Sequence, residues 1–133
     1  MATTLYIPSR EYVDLDFDFS KHPISKNVSI KKQVNAVKQS IMHLLTLKEG
    51  DKPFHPEIKS PIYGYLFENA SSIVKIVLES EVRKYLNAYE PRVDISTVTI
   101  SYTDNNSINC EVSGEIINLS LPITVNIMVS RLR

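Results

Sequence analysis

The sequence predicts an α+β domain: an N-terminal extended arm, two main helices and a short helix, packed on a C-terminal three-stranded antiparallel sheet. Two observations carry this expectation. Apolar residues recur at helical spacing through residues 27–50 and again through 71–89. After Pro91 the period drops to two, with one turn signal, "TDNNS", inside the new pattern. A single domain of 133 residues is expected. Residues 1–26 would form an acidic arm, 27–90 the helical part and 91–133 a β-meander.

The arm contains "VDLDFDF", in which Val13, Leu15, Phe17 and Phe19 alternate with Asp14, Asp16 and Asp18. Period two predicts a strand or extended arm with one apolar face. The acids lack the glycine and distal glutamate of a calcium loop, so they read as a solvated edge or as one facing a basic partner. "KNVSIKKQVNAVKQSIMHLLTLKEG" predicts the first helix, capped by Asn27 or Ser29, with Ile30, Val34, Val37, Ile41, Leu44 and Leu45 on one face and Gly50 as its stop. Pro53, Pro56 and Pro61 make "EGDKPFHPEIKSP" a rigid loop. "IYGYLFEN" predicts a short helix anchored by Tyr63, Leu66 and Phe67. The second long helix, "SSIVKIVLESEVRKYLNAY", is capped by Ser71 or Ser72 and carries a wide stripe from Val74 to Tyr89.

Three strands follow. Val93, Ile95, Val98, Ile100 and Tyr102 mark the first. Ile108, Cys110, Val112 and Ile116 mark the second. Ile123, Val125, Ile127 and Val129 mark the third.

Composition narrows the function. Lys plus Arg and Asp plus Glu each number 15, so the net charge is zero, and a nucleic-acid partner is not expected. No run approaches the length of a membrane span, and no signal peptide is visible at the N-terminus. Cys110 is the one cysteine; it reads as a buried strand residue, and the chain as one made in a reducing cytoplasm.

Catalysis has little behind it. His55 and Glu57 stand two apart in the proline loop, without a nucleophile setting nearby. Carboxylates are plentiful, but no pattern brings two across a cleft. With three glycines there is no phosphate loop, and no His/Cys spacing suggests a metal. No cofactor is expected. His43 lies beside the apolar face of the first helix and reads as structural. The residues that ask for a role are Glu90, Pro91 and Arg92, at the junction of helix and sheet. Pro91 ends the helix. Glu90 and Arg92 then either tie the helix end to the sheet, or present a rigid guanidinium fork to a partner.

In order and spacing, "EGDKPFHPEI", "LFEN" and "YEPRVDI" resemble the baseplate wedge and sheath-initiator family of contractile-tailed bacteriophages. That family includes a baseplate component of type VI secretion systems and has carried a lysozyme-like label. The resemblance covers roughly residues 12–102. It departs at Lys52, where the family usually has arginine, and at Ile58 and Lys59, where it has an aromatic residue and glycine.

The resemblance implies a non-enzymatic virion subunit of the tail baseplate, present in multiple copies and assembled in the host cytoplasm. Its implied partners are other wedge proteins and the sheath protein, with the tail tube as a further candidate, and neither nucleic acid nor membrane. Glu90, Pro91 and Arg92 would contact the wedge core, with Lys52, Pro53 and Phe54 as further contacts. The strand of Ile123, Val125, Ile127 and Val129 would offer an edge to sheath arms, since edge strands add partner strands through their main chain. A peptidoglycan hydrolase and an anti-adaptor-like regulatory binding protein stand as alternatives.

Overall fold

The computed structural model describes residues 12–104 and 107–131. The elements run β1 (Val13–Leu15), β2 (Ile30–Lys32), α1 (Gln33–Thr46), α2 (Ile62–Tyr65), α3 (Ser72–Tyr89), β3 (Val93–Asp104), β4 (Ser107–Ile116) and β5 (Leu121–Ser130). β1 and β2 form a small antiparallel pair, and β3, β4 and β5 form the three-stranded meander in that order. The expected α+β architecture is present. Of the predicted features, residues 1–11, the centre of the "TDNNS" turn and the last two residues lie outside the described residues.

The core forms where α1 and α3 cover one face of the meander, with α2 packed against α3. Val37, Ile41 and Leu45 of α1 join Leu78, Val82 and Leu86 of α3 against the inward residues of the strands. Ile62 and Leu66 belong to the same buried cluster. Cys110 is fully buried, as its alternation predicts.

The first helix starts later than its apolar spacing suggests. Residues 30–32 pair with the arm instead, Leu15 opposite Ile30 and Val13 opposite Lys32. Neither Asn27 nor Ser29 caps α1; its cap position is Lys32, which makes no side-chain cap bond. Gln33 turns strand into helix with a φ of 49°, and its N–H donates to the Tyr12 carbonyl at 2.6 Å. "VSIK" satisfies either period over so short a run, and the available strand partner decides it. At the other end α1 stops at Thr46, so Gly50, with φ 86°, shapes the following loop and not the cap.

The arm inverts the expected burial. Val13, Leu15, Phe17 and Phe19 are all exposed, whereas Asp16 is buried. The Asp16 carboxylate accepts from the Asp18 N–H, the Ser20 hydroxyl and the Lys31 ammonium at 3.2, 3.2 and 3.4 Å. The acids therefore face basic groups of their own chain.

Ser71 caps α3, its hydroxyl accepting from the Val74 N–H at 3.2 Å. The buried stripe is narrower than expected, because Val77 and Tyr89 are exposed. Phe67 is no anchor of the short helix either: it lies exposed, with the Arg131 guanidinium 4.2 Å above its ring.

β3 carries a bulge at Ser96, where the register passes from Ile95–Gly114 to Thr97–Ser113. The jump from Ile95 to Val98 in the apolar pattern is this extra residue. Ser96 Oγ donates to the Ser113 carbonyl at 2.9 Å and fixes the bulge.

Candidate functional site

Glu90 and Arg92 meet at the corner where α3 gives way to β3. Pro91 forces the bend, leaving Glu90 at φ −126° and ψ 79°. The Glu90 carboxylate is only 2% exposed. Arg92 grips it with two parallel bonds, Nε to Oε1 at 2.7 Å and Nη2 to Oε2 at 3.0 Å. The Ser40 hydroxyl of α1 donates to the same carboxylate. Arg92 Nη1 donates to Asp14 of β1 at 3.1 Å, and the guanidinium lies 5.6 Å from the Tyr12 ring centre. Tyr12 in turn donates its hydroxyl to the Ile117 carbonyl at 3.1 Å. One ion pair thus joins arm, α1, α3 and sheet.

The electrostatics follow from this geometry. Burial alone would raise the Glu90 carboxyl, but the hydrogen bonds from Arg92 and Ser40 and the Arg92 charge outweigh it and hold the group below its ordinary value. The Glu90 hydrogen bonds raise the Arg92 guanidinium further, against the effect of burial. For a carboxyl depressed on folding, the stabilisation is complete above the unfolded value of 4.5 and is lost as pH falls through the lower folded value. Unfolding free energy measured against pH is therefore expected to be flat with respect to this group above about 4.5 and to fall below it. Glu90→Gln is expected to remove part of that acid slope. An unchanged slope in the variant would remove Glu90 from the account.

Sequence reasoning placed Glu90, Pro91 and Arg92 together but missed Asp14, Ser40 and Tyr12. Ser40 left a signal: it lies three residues after Val37 and four before Leu44, on the apolar stripe of α1, where a hydroxyl needs a partner. Asp14 left none beyond its alternation.

The remaining candidates lie elsewhere on the surface. Phe54 is 97% exposed at the tip of the proline loop, with φ 66°, beside exposed Lys52 and Pro53. His55 Nδ1 and Glu57 Oε1 are 3.0 Å apart, both side chains more than half in solvent. The Glu57 backbone N–H and His55 lower that carboxyl. Burial pushes the Cys110 thiol up to about 12, with Glu79 adding to the shift, which makes it inert.

The β5 candidates need a correction. Ile123, Val125, Ile127 and Val129 are buried in the core, so their side chains are closed to any partner. Their main-chain groups also turn inward. The Ile100 N–H points away from β4, since it donates to Glu79 at 3.0 Å. Antiparallel ladders alternate, so its opposite residue Cys110 turns toward β5, and Ile127, opposite Cys110, turns toward β4. The outward main-chain groups of β5 therefore belong to Thr124, Asn126, Met128 and Ser130.

The family described as "Baseplate wedge protein gp25" matches residues 31–119, a span holding the proline loop, the Glu90–Arg92 corner and two strands of the meander. The chain belongs to this family. Baseplate wedge protein gp25 of Enterobacteria phage T4 is 29% identical over 67% of each chain.

Three solved structures share the fold. A chain in the anti-feeding prophage baseplate aligns with a TM-score of 0.69 at 18% identity, covering 80% of this chain and 86% of that one. A chain in the post-contraction pyocin R2 baseplate gives 0.62 at 21%, covering 79% and 98%. A putative tail lysozyme from Geobacter sulfurreducens gives 0.65 at 17%, covering 73% and 89%. β1 and β5 fall outside the gp25 family match.

Proposed function

We propose that the chain is a non-enzymatic subunit of a contractile-tail baseplate, and that β5 adds a strand from the first sheath subunits. The observation that carries this reading is the free edge of β5 in a member of the baseplate wedge family. The edge is ten residues long, carries no charged side chain and keeps an unbroken register with β4. Monomeric proteins protect such edges with charges, bulges or prolines; here Pro122 at the start of the strand is the one such residue. A partner strand would pair with the main chain of Thr124, Asn126, Met128 and Ser130.

The wedge core would meet the corner through exposed Pro91 and the outer side of Arg92, whose side chain is 22% exposed. Glu90 positions that fork from inside and does not itself reach a partner. Phe54, with Lys52 and Pro53, would enter a pocket on a neighbouring subunit, since a fully exposed aromatic ring gains most from burial.

The lysozyme label on the Geobacter neighbour finds no support in the carboxylates. A glycosidase general acid needs a carboxyl raised toward neutrality. Glu90 and Glu57 are both lowered.

Co-expression with the neighbouring wedge and sheath proteins, followed by size-exclusion chromatography, tests the proposal. Asn126→Pro removes an outward donor without costing a bond to β4. Sheath co-elution is expected to fall at least roughly tenfold, the equivalent of 1.4 kcal/mol, with wedge co-elution unchanged. Full sheath binding by a folded Asn126→Pro variant would overturn the β5 assignment. Absence of any tail protein from the eluted complex would overturn the baseplate reading and favour a regulatory binding protein.

A further inference from the structure

A three-stranded meander has two edges, and nothing in its topology makes them unequal. We infer that this sheet accepts a partner strand at β5 alone, and that Glu79 and Arg83 of α3 are the residues that close the β3 edge. The inference rests on the strand-addition reading for its biological sense, but the closure itself is geometric.

Two observations carry it. The Glu79 carboxylate accepts the outward Ile100 N–H at 3.0 Å. One helical turn on, Arg83 Nη2 donates to the outward carbonyl of Ser96 at 2.8 Å. An anion covers a donor and a cation covers an acceptor, so each edge group meets a partner of matching sign. The positions also suit the task. Residues 79 and 83 are four apart on one face of α3, and both line one surface hollow with Val98 of β3. The bulge at Ser96 adds a second barrier, because it breaks the regular spacing that an incoming strand must match. Among the described residues, no hydrogen bond reaches the outward groups of β5.

The two edges thus differ in chemistry. A strand approaching β3 would have to displace two charge-assisted bonds and match an irregular ladder. A strand approaching β5 meets a regular row of unmet main-chain groups. Growth of the sheet is one-ended, which fixes on which side of the subunit the next chain lies.

The test uses the full chain alone, so it does not depend on partner identity. A chain with one open edge can pair edge to edge into a dimer at most. Glu79→Ala/Arg83→Ala opens the second edge, and its mass in sedimentation equilibrium is expected to climb with concentration past that of a dimer. Adding Asn126→Pro is expected to return it to a dimer or less. A folded double variant that stays at the wild-type size would overturn the closure.

Should the double variant fail to fold, amide exchange in Glu79→Ala decides. The Ile100 amide is expected to exchange roughly tenfold faster, the loss of about one net hydrogen bond, while the inward Thr99 and Ser101 amides keep their protection. An unchanged Ile100 rate would overturn the role of Glu79. The strand-addition reading fails separately, if sheath protein binds Asn126→Pro as well as wild type.

Discussion

Arg92→Ala is expected to cost about 3–5 kcal/mol of stability, the range for removing one partner of a buried ion pair. The reason is what remains behind. Glu90 would stay buried with neutral partners only, the Ser40 hydroxyl among them, and Asp14 would lose its contact with the corner. A domain of this size has only about 5–15 kcal/mol in total, so the variant would sit near the edge of folding. Urea denaturation measures this directly.

Two controls locate the effect. Arg92→Lys keeps the charge but loses the paired fork, so an intermediate loss is expected. Glu90→Gln/Arg92→Ala is expected to be more stable than Arg92→Ala, because the stranded charge is gone. A wild-type midpoint for Arg92→Ala would mean that the corner contributes nothing to the fold and serves partners only. Any assembly defect of Arg92→Ala must accordingly be judged after its stability is known.

The second large effect is expected at Gly114, where Gly114→Ala should cost ~1–3 kcal/mol through overpacking. An added Cβ would fall inside contact distance of the Asp94 carbonyl oxygen and 3.1 Å from Val93 Cγ1. The first of these is backbone, so no rotamer change relieves it. Gly114 pairs with Ile95, immediately before the bulge, and the Ser96–Ser113 bond holds that bulge in place. The methyl group would push the two strands apart where the ladder is least regular. A melting temperature lower by several degrees is expected; an unchanged one would show that the bulge relaxes freely.

Much of this fold was legible because its elements bury one face at a clean period. Val93, Ile95, Val98 and Ile100 even encode the bulge as a skipped step. The third strand read correctly for burial, but not for which of its residues face outward. The residues that make it look like a strand are the ones turned into the core, and the edge belongs to the alternate set. The arm misled more deeply. Its strand ends at Leu15 and residues 17 and 18 turn, and period two does not say which set points inward. Asp14 and Asp16 go inward because Arg92 and Lys31 wait for them, and those pairings join residues far apart in sequence. The corner motif was visible, and an internal tie was one of its two readings, but its distant partners were not: Arg92 answers to a residue 78 positions away, which local pattern cannot report.

The inverted arm has a consequence for how the protein behaves before it is assembled. Val13, Leu15, Phe17 and Phe19 stand in water, joined on the neighbouring strand by Ile30. Such a face is adhesive. The chain carries no net charge to hold copies apart at long range. Solubility thus becomes a matter of stoichiometry: each copy made beyond the number of its partners adds apolar surface that only another sticky surface can satisfy.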